Sequence, residues 1–257
     1  MLVYVGDMFA KAARGRVRVS PTAEPTGATA SPVASPTDSP SPSGSCAEGG
    51  VCQLGDLGPG GGVVFYVASS SFTCGPDMAL SCNYLEVAPN LWAPNSQSDC
   101  GKTKGGACGG SSNGQTTSDF SGTGKGITWC TGTGSGLASG VRNTAIGMGY
   151  ANTTAMVGVC NSYDAGKAAR LYNGGGLNDW SLGSQDEMNA LFMYPDRAAI
   201  GGFNSGYYWT STPTTGNKTN KKNPVLAWTQ DFQSNSAGYG ASQGMTATEG
   251  VRPLRAF

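Results

Sequence analysis

Eight cysteines, Cys46, Cys52, Cys74, Cys82, Cys100, Cys108, Cys130 and Cys160, punctuate a chain otherwise dominated by small and polar residues. An even cysteine count in a chain with only 12% charged residues points to disulfide staples and an oxidising, extracytoplasmic setting. A structural zinc site would need paired C-x-x-C knuckles, and that spacing does not occur. Eight cysteines permit on the order of a hundred connectivities, among which sequence does not choose. The working expectation is sequential pairing: Cys46 with Cys52, Cys74 with Cys82, Cys100 with Cys108, and Cys130 with Cys160.

The chain has no histidine. That removes Ser-His-Asp and Cys-His catalysis, an imidazole general base and any histidine-ligated metal. A formal net charge of zero supplies no basic field for nucleic acid. No stretch approaches the roughly 20 apolar residues of a membrane span. The opening MLVYVGDMFAKAARGRVRVS carries Asp7, Lys11 and Arg14 where a signal peptide needs an uninterrupted apolar run. An extracellular or cell-surface location is therefore read from the cysteines and composition.

Three segments differ in character. Residues 1–19 are unassigned, residues 20–45 are almost wholly Ser, Thr, Pro and Ala, and residues 46–257 carry all the cysteines. The middle segment cannot bury apolar surface and reads as a disordered, extended stalk. In the third, strand signals are short: 62–67 after a Gly-Pro-Gly-Gly turn, 84–88, 207–212, 225–232 and 251–257. About five strands thus cluster at the two ends of the domain, with helical signals between. Ser184 and Glu187 form a capping box, Met188, Leu191 and Phe192 fall on one face, and Pro195 marks the stop. Further helices are expected over 152–160 and over 164–172, where Ala165, Ala168, Ala169 and Tyr172 face inward. Residues 95–140 read as long loops pinned by disulfides. The class is α+β.

Four motifs occur in order: Gly58-Pro59-Gly60-Gly61-Gly62-Val63-Val64-Phe65-Tyr66, Asn178-Asp179-Trp180-Ser181-Leu182-Gly183-Ser184-Gln185-Asp186-Glu187-Met188, Tyr208-Trp209-Thr210-Ser211-Thr212 and Val251-Arg252-Pro253-Leu254-Arg255. Together they resemble the bacterial surface domain DUF1566, the carboxy-terminal domain of the Legionella collagen-like adhesin. The likeness runs from about residue 55 to the last residue. It departs at Gly183, where the family usually carries proline, which removes a rigid turn and leaves the capping box intact. The resemblance implies a C-type-lectin-like fold with short antiparallel strands, two to three helices and long disulfide-pinned loops. In that fold the first and last strands pair and loops bind; family members are surface or phage-tail binding modules, one recognising sulfated glycosaminoglycans.

The wider superfamily includes formylglycine-generating and sulfatase-modifying enzymes, so an enzyme of that type is an alternative. By resemblance it needs two reactive, copper-binding cysteines in a carboxy-terminal segment, yet no cysteine follows Cys160. Related iron-dependent enzymes need histidine. Asp186 and Glu187 are neighbours on a helix and point in different directions, which does not suit paired acid-base work. No catalytic residue is assigned.

Trp180, Trp209 and Trp228 could offer an aromatic face to a pyranose, but they sit inside motifs at element boundaries, and the core is the expected place for them. Trp92 and Trp129 lie in loop-like sequence and are expected to be partly exposed, as candidate ligand contacts. Lys218, Lys221 and Lys222 form the domain's basic cluster, between the Tyr-Trp strand and the Trp228 strand, and could recruit a sulfated or phosphorylated polymer. A solvated hairpin tip is the plainer reading. Asn178 and Asp179 are weak calcium candidates, because calcium takes six to eight oxygens and a turn also explains them. Arg252 and Arg255 are expected to pair within the fold. No cofactor is expected, calcium apart. The expected function is a non-enzymatic surface or secreted module binding a glycan or host-surface polymer through loops. A structural subunit or fibre tip, with possible homo-oligomers, is the other alternative.

Overall fold

The computed structural model describes residues 44–90, 92, 126–131, 143–161, 164–201, 203, 206–214, 226–233 and 240–257. Within them the α+β class holds: antiparallel sheets packed with short helices. The strands are β1 (Val63–Cys74), β2 (Leu80–Val87), β3 (Ile127–Thr128), β4 (Ser181–Leu182), β5 (Tyr207–Pro213), β6 (Leu226–Asp231), β7 (Ala241–Gly244), β8 (Thr248–Glu249) and β9 (Pro253–Ala256). The helices are α1 (Gly149–Val159), α2 (Ala165–Leu171), α3 (Gln185–Met193) and α4 (Arg197–Ile200). All five expected strands are present; the additional β3, β4, β7 and β8 are only two to four residues long. No described helix is long and apolar enough to cross a membrane.

One sheet has the order β1-β2-β9-β4, a second β5-β6-β7, and a third β3-β8. The last strand pairs with the second strand rather than the first, with Glu86 opposite Arg255 and Val87 opposite Leu254. That corrects the expected pairing of first with last; β1 flanks β2 on the far side. The register brings the two ends of the domain into one sheet.

Local chemistry explains the helices. Ser184 Oγ accepts from the Glu187 amide at 3.3 Å, and Glu187 Oε2 accepts from the Ser184 amide at 2.8 Å, closing the capping box of α3. At its other end Pro195 holds Tyr194 in extended backbone, and the helix stops. Helix α1 has weak local support: no side-chain cap, and an Asn-Thr-Thr run that lowers helix propensity by about 0.5 kcal/mol per residue. Packing outweighs this. Its Asn152, Thr153 and Met156 are buried, and the Thr153 hydroxyl accepts from the Leu182 amide of β4 at 3.1 Å.

Two large apolar clusters form the core. One gathers Trp129, Trp180, Trp209, Met156 and Leu182. The other gathers Phe65, Leu85, Met188, Leu191, Tyr208, Phe232 and Leu254. Removing an indole from water stabilises by several kcal/mol, at about 200 Å² and 25 cal/mol per Å². Such burial exceeds any one staple in this chain.

Disulfides join Cys46 to Cys52, Cys74 to Cys82 and Cys130 to Cys160, as sequential pairing requires. The Cys100–Cys108 pair and most of the 95–140 loop region lie outside the described residues. Cys130–Cys160 spans 30 residues and ties the β3 segment to the end of α1. Cys46–Cys52 packs on Val64 in a small third cluster.

Gly183 has a packing reason for lacking a side chain. A Cβ there would collide with Leu254 and stand 3.1 Å from Met188 Cγ.

Candidate functional site

The motif residues converge on Glu86 of β2. Its carboxylate is fully buried and accepts from the Gly60 amide at 3.0 Å, the Gly62 amide at 3.0 Å and Arg255 Nη1 at 2.9 Å. The Gly-rich turn therefore cradles a carboxylate of its own chain. A Cβ at Gly60 would lie 2.7 Å from Glu86 Oε1 and strike the Trp180 ring, so the close approach demands glycine. Burial raises the Glu86 pKa, opposed by the hydrogen bond and charge of Arg255 and by the two glycine amides.

Arg255 also donates from Nε to Asp179 Oδ1 at 2.6 Å. Burial pulls its guanidinium down, and the bonds to Asp179 and Glu86 more than offset that, so its pKa is raised. Arg252 is buried and donates to the Ala88 carbonyl at 2.9 Å and the Gly201 carbonyl at 2.8 Å. Both arginines pair within the fold, as expected. Asp179 does so by a long-range ion pair instead of a local turn, and a divalent cation there would have to displace a guanidinium. Asn178 is exposed.

Glu187 does more than cap α3. Its Oε1 accepts from the Gly147 amide at 2.7 Å and the Gly149 amide at 3.3 Å, joining α3 to the start of α1. Burial pushes its carboxyl up to about 7 despite these donors. Asp186, one residue earlier, stays on the exposed side and accepts from Thr144 Oγ1 at 3.3 Å. Between these groups lies a cleft lined by Gly75, Tyr150, Asp179, Ser181, Glu187 and Arg255, with about 10 Å³ of free space, enough for about one water. It is too small for a sugar.

Asp164 stands within 4.8 Å of both sulfurs of Cys130–Cys160. Those sulfurs are joined to each other and offer no thiolate. The carboxylate accepts from the Thr131 amide and the Asn161 amide, both at 2.8 Å, and from Thr128 Oγ1 at 2.8 Å. It ties β3 to α2.

The tryptophans separate into two kinds. Trp180 and Trp209 are fully buried, as expected. Trp92 and Trp129 are buried too, at 7% and 0% exposure, which overturns their expected exposure and leaves neither a face to stack on a ligand. Each indole N–H finds a carbonyl: Trp92 that of Val251, Trp129 that of Thr210, Trp180 that of Gly174 and Trp209 that of Ile127. Loop-like sequence around Trp92 and Trp129 hid their burial, because a core built by distant strands leaves no local signature at the residues that fill it.

Trp228 differs. It is half-buried, and its indole N–H donates to no described group. Alternation along β6 was the available signal, since Ala227 and Thr229 point one way into the core and Trp228 the other. Lys218, Lys221 and Lys222 lie outside the described residues.

No protein-family model matches this chain, and no curated protein matches it.

Proposed function

We propose that the chain is a non-enzymatic, extracytoplasmic binding module that recognises a glycan or host-surface polymer through loops carried on a disulfide-stapled, lectin-like α+β domain. The observation that carries this reading is the inward commitment of the chemistry-bearing motif residues. Arg255 bridges the Glu86 and Asp179 carboxylates, Glu187 is occupied by three backbone amides, and Arg252 holds two carbonyls. Groups so engaged hold strands and turns in place and are not poised for proton transfer or nucleophilic attack. Three disulfides accord with an oxidising compartment. The DUF1566 resemblance supplies the ligand class, and the Lys218, Lys221 and Lys222 cluster suits a sulfated polymer.

A glycan array probed with the full chain, with and without a calcium chelator, tests the reading. Selective binding to a set of glycans is the expected result. Binding to none of them, across sulfated and neutral sugars, would overturn it.

A further inference from the structure

Five tryptophans allow an internal comparison. Four are buried and spend their N–H on a backbone carbonyl. A buried indole without such a partner would carry the full desolvation penalty of its N–H, and the fold has arranged acceptors wherever it has closed over the ring. At Trp228 neither condition holds: the ring is half-buried and the N–H is unused by the described residues.

On its β7 side the ring has only small neighbours. Trp228 stands opposite Ser242, and Leu226 opposite Gly244, so both cross-strand partners on its face are small. Ser242 is itself exposed. Gly240 lies at the ring's edge, where a Cβ would come within 3.5 Å of Trp228 Cε3. The backbone beneath is fixed, since Thr210 Oγ1 donates to the Trp228 carbonyl at 3.0 Å. Asp231, the charged residue of β6, falls on the opposite face by strand alternation. The result, among the described residues, is a partly exposed indole on a hydrogen-bonded strand, beside small residues of β7 and with its own N–H free to donate, while Gln230 further along the same face is buried.

We propose that Trp228 is a stacking platform for one pyranose unit of a glycan. The ring face packs against the apolar C–H face of the sugar, and Nε1–H donates to a sugar hydroxyl. Stacking on an indole needs no charge, so this subsite takes neutral and sulfated sugars alike. The inference rests on the reading of the domain as a glycan-binding module and names the residue that performs it.

Acrylamide quenching of tryptophan emission in the full chain tests this, with chitotetraose, cellotetraose and a heparin tetrasaccharide as probes and calorimetry reporting binding independently. The most quenchable emission should belong to Trp228, vanish in Trp228→Phe, and be shielded by an oligosaccharide that binds. Ser242→Leu, at an exposed strand position, should cover the ring and weaken that binding about five- to tenfold with an unchanged melting temperature. An oligosaccharide that binds by calorimetry, yet neither shields Trp228 nor responds to Ser242→Leu, overturns the platform and leaves the module's glycan reading intact. If none of the three binds, the platform for these sugar types is overturned. If the glycan array is also blank, the wider reading falls with it.

Discussion

Arg255 and Glu86 stand opposite each other on adjacent antiparallel strands, and their side chains meet at 2.9 Å in a site where Glu86 has no exposed surface. Removing one partner of a buried pair strands the other charge, which costs more than the pair's net worth. Arg255→Met should therefore destabilise the domain by about 3–5 kcal/mol. Glu86→Gln should cost less, because an amide oxygen can still accept from Gly60 or Gly62. Urea unfolding followed by circular dichroism checks the order; equal losses would show that the pair carries no special role.

Acidification should stabilise this protein. Glu187 and Glu249 have carboxyls pushed by burial to about 7, and Glu86 is raised in the same direction. A carboxyl whose folded pKa exceeds its unfolded value binds more protons when folded, so its contribution is full below the unfolded pKa, near 4.5, and is lost as pH rises through about 7. The urea midpoint should be higher at pH 5 than at pH 8. Glu187→Gln should flatten that slope, and a midpoint that climbs between pH 5 and pH 8 would contradict the assignment.

The disulfides should be unequal. Cys130–Cys160 closes a separation of 30 residues, against 6 for Cys46–Cys52. Chain-entropy reasoning gives about 3–4 kcal/mol for the longer loop and about 2 kcal/mol for the shorter. Paired Cys→Ser replacements should lower the melting temperature more at 130 and 160. Removing this staple also frees the β3 segment from the end of α1, while Asp164 still ties it to α2 through Thr128 and Thr131 and β8 still pairs with it.

Sequence periodicity made the regular parts of this fold legible. The capping box at Ser184 and Glu187 depends on four consecutive residues, and the β-branched run of β1 needs no distant partner to be recognised. What stayed hidden was non-local. Nothing near Asp179 in sequence announces Arg255, and the short strands β3, β4 and β8 exist only because β9 and one another lie alongside. Glu187 looked fully explained by its cap, yet its other oxygen fastens a separate helix. For the tryptophans, loop-like surroundings suggested exposure for Trp92 and Trp129 that distant packing reversed. Strand alternation around Trp228 was visible, but which sheet face would be covered was not.

Sulfated-polymer recognition, if the lysine cluster mediates it, should carry an ionic signature. The domain is close to electrically neutral, so long-range attraction to a polyanion must come from local charge, and Lys218, Lys221 and Lys222 supply it within five residues. Lys221→Ala combined with Lys222→Ala should elute from a heparin column at clearly lower salt than the parent chain. The difference should shrink as ionic strength rises, because the Debye length falls from about 10 Å at 0.1 M to about 3 Å at 1 M. The melting temperature, measured in parallel, should not move, which separates a loss of charge from a loss of fold. Unchanged retention would assign polyanion binding, if any occurs, to another surface.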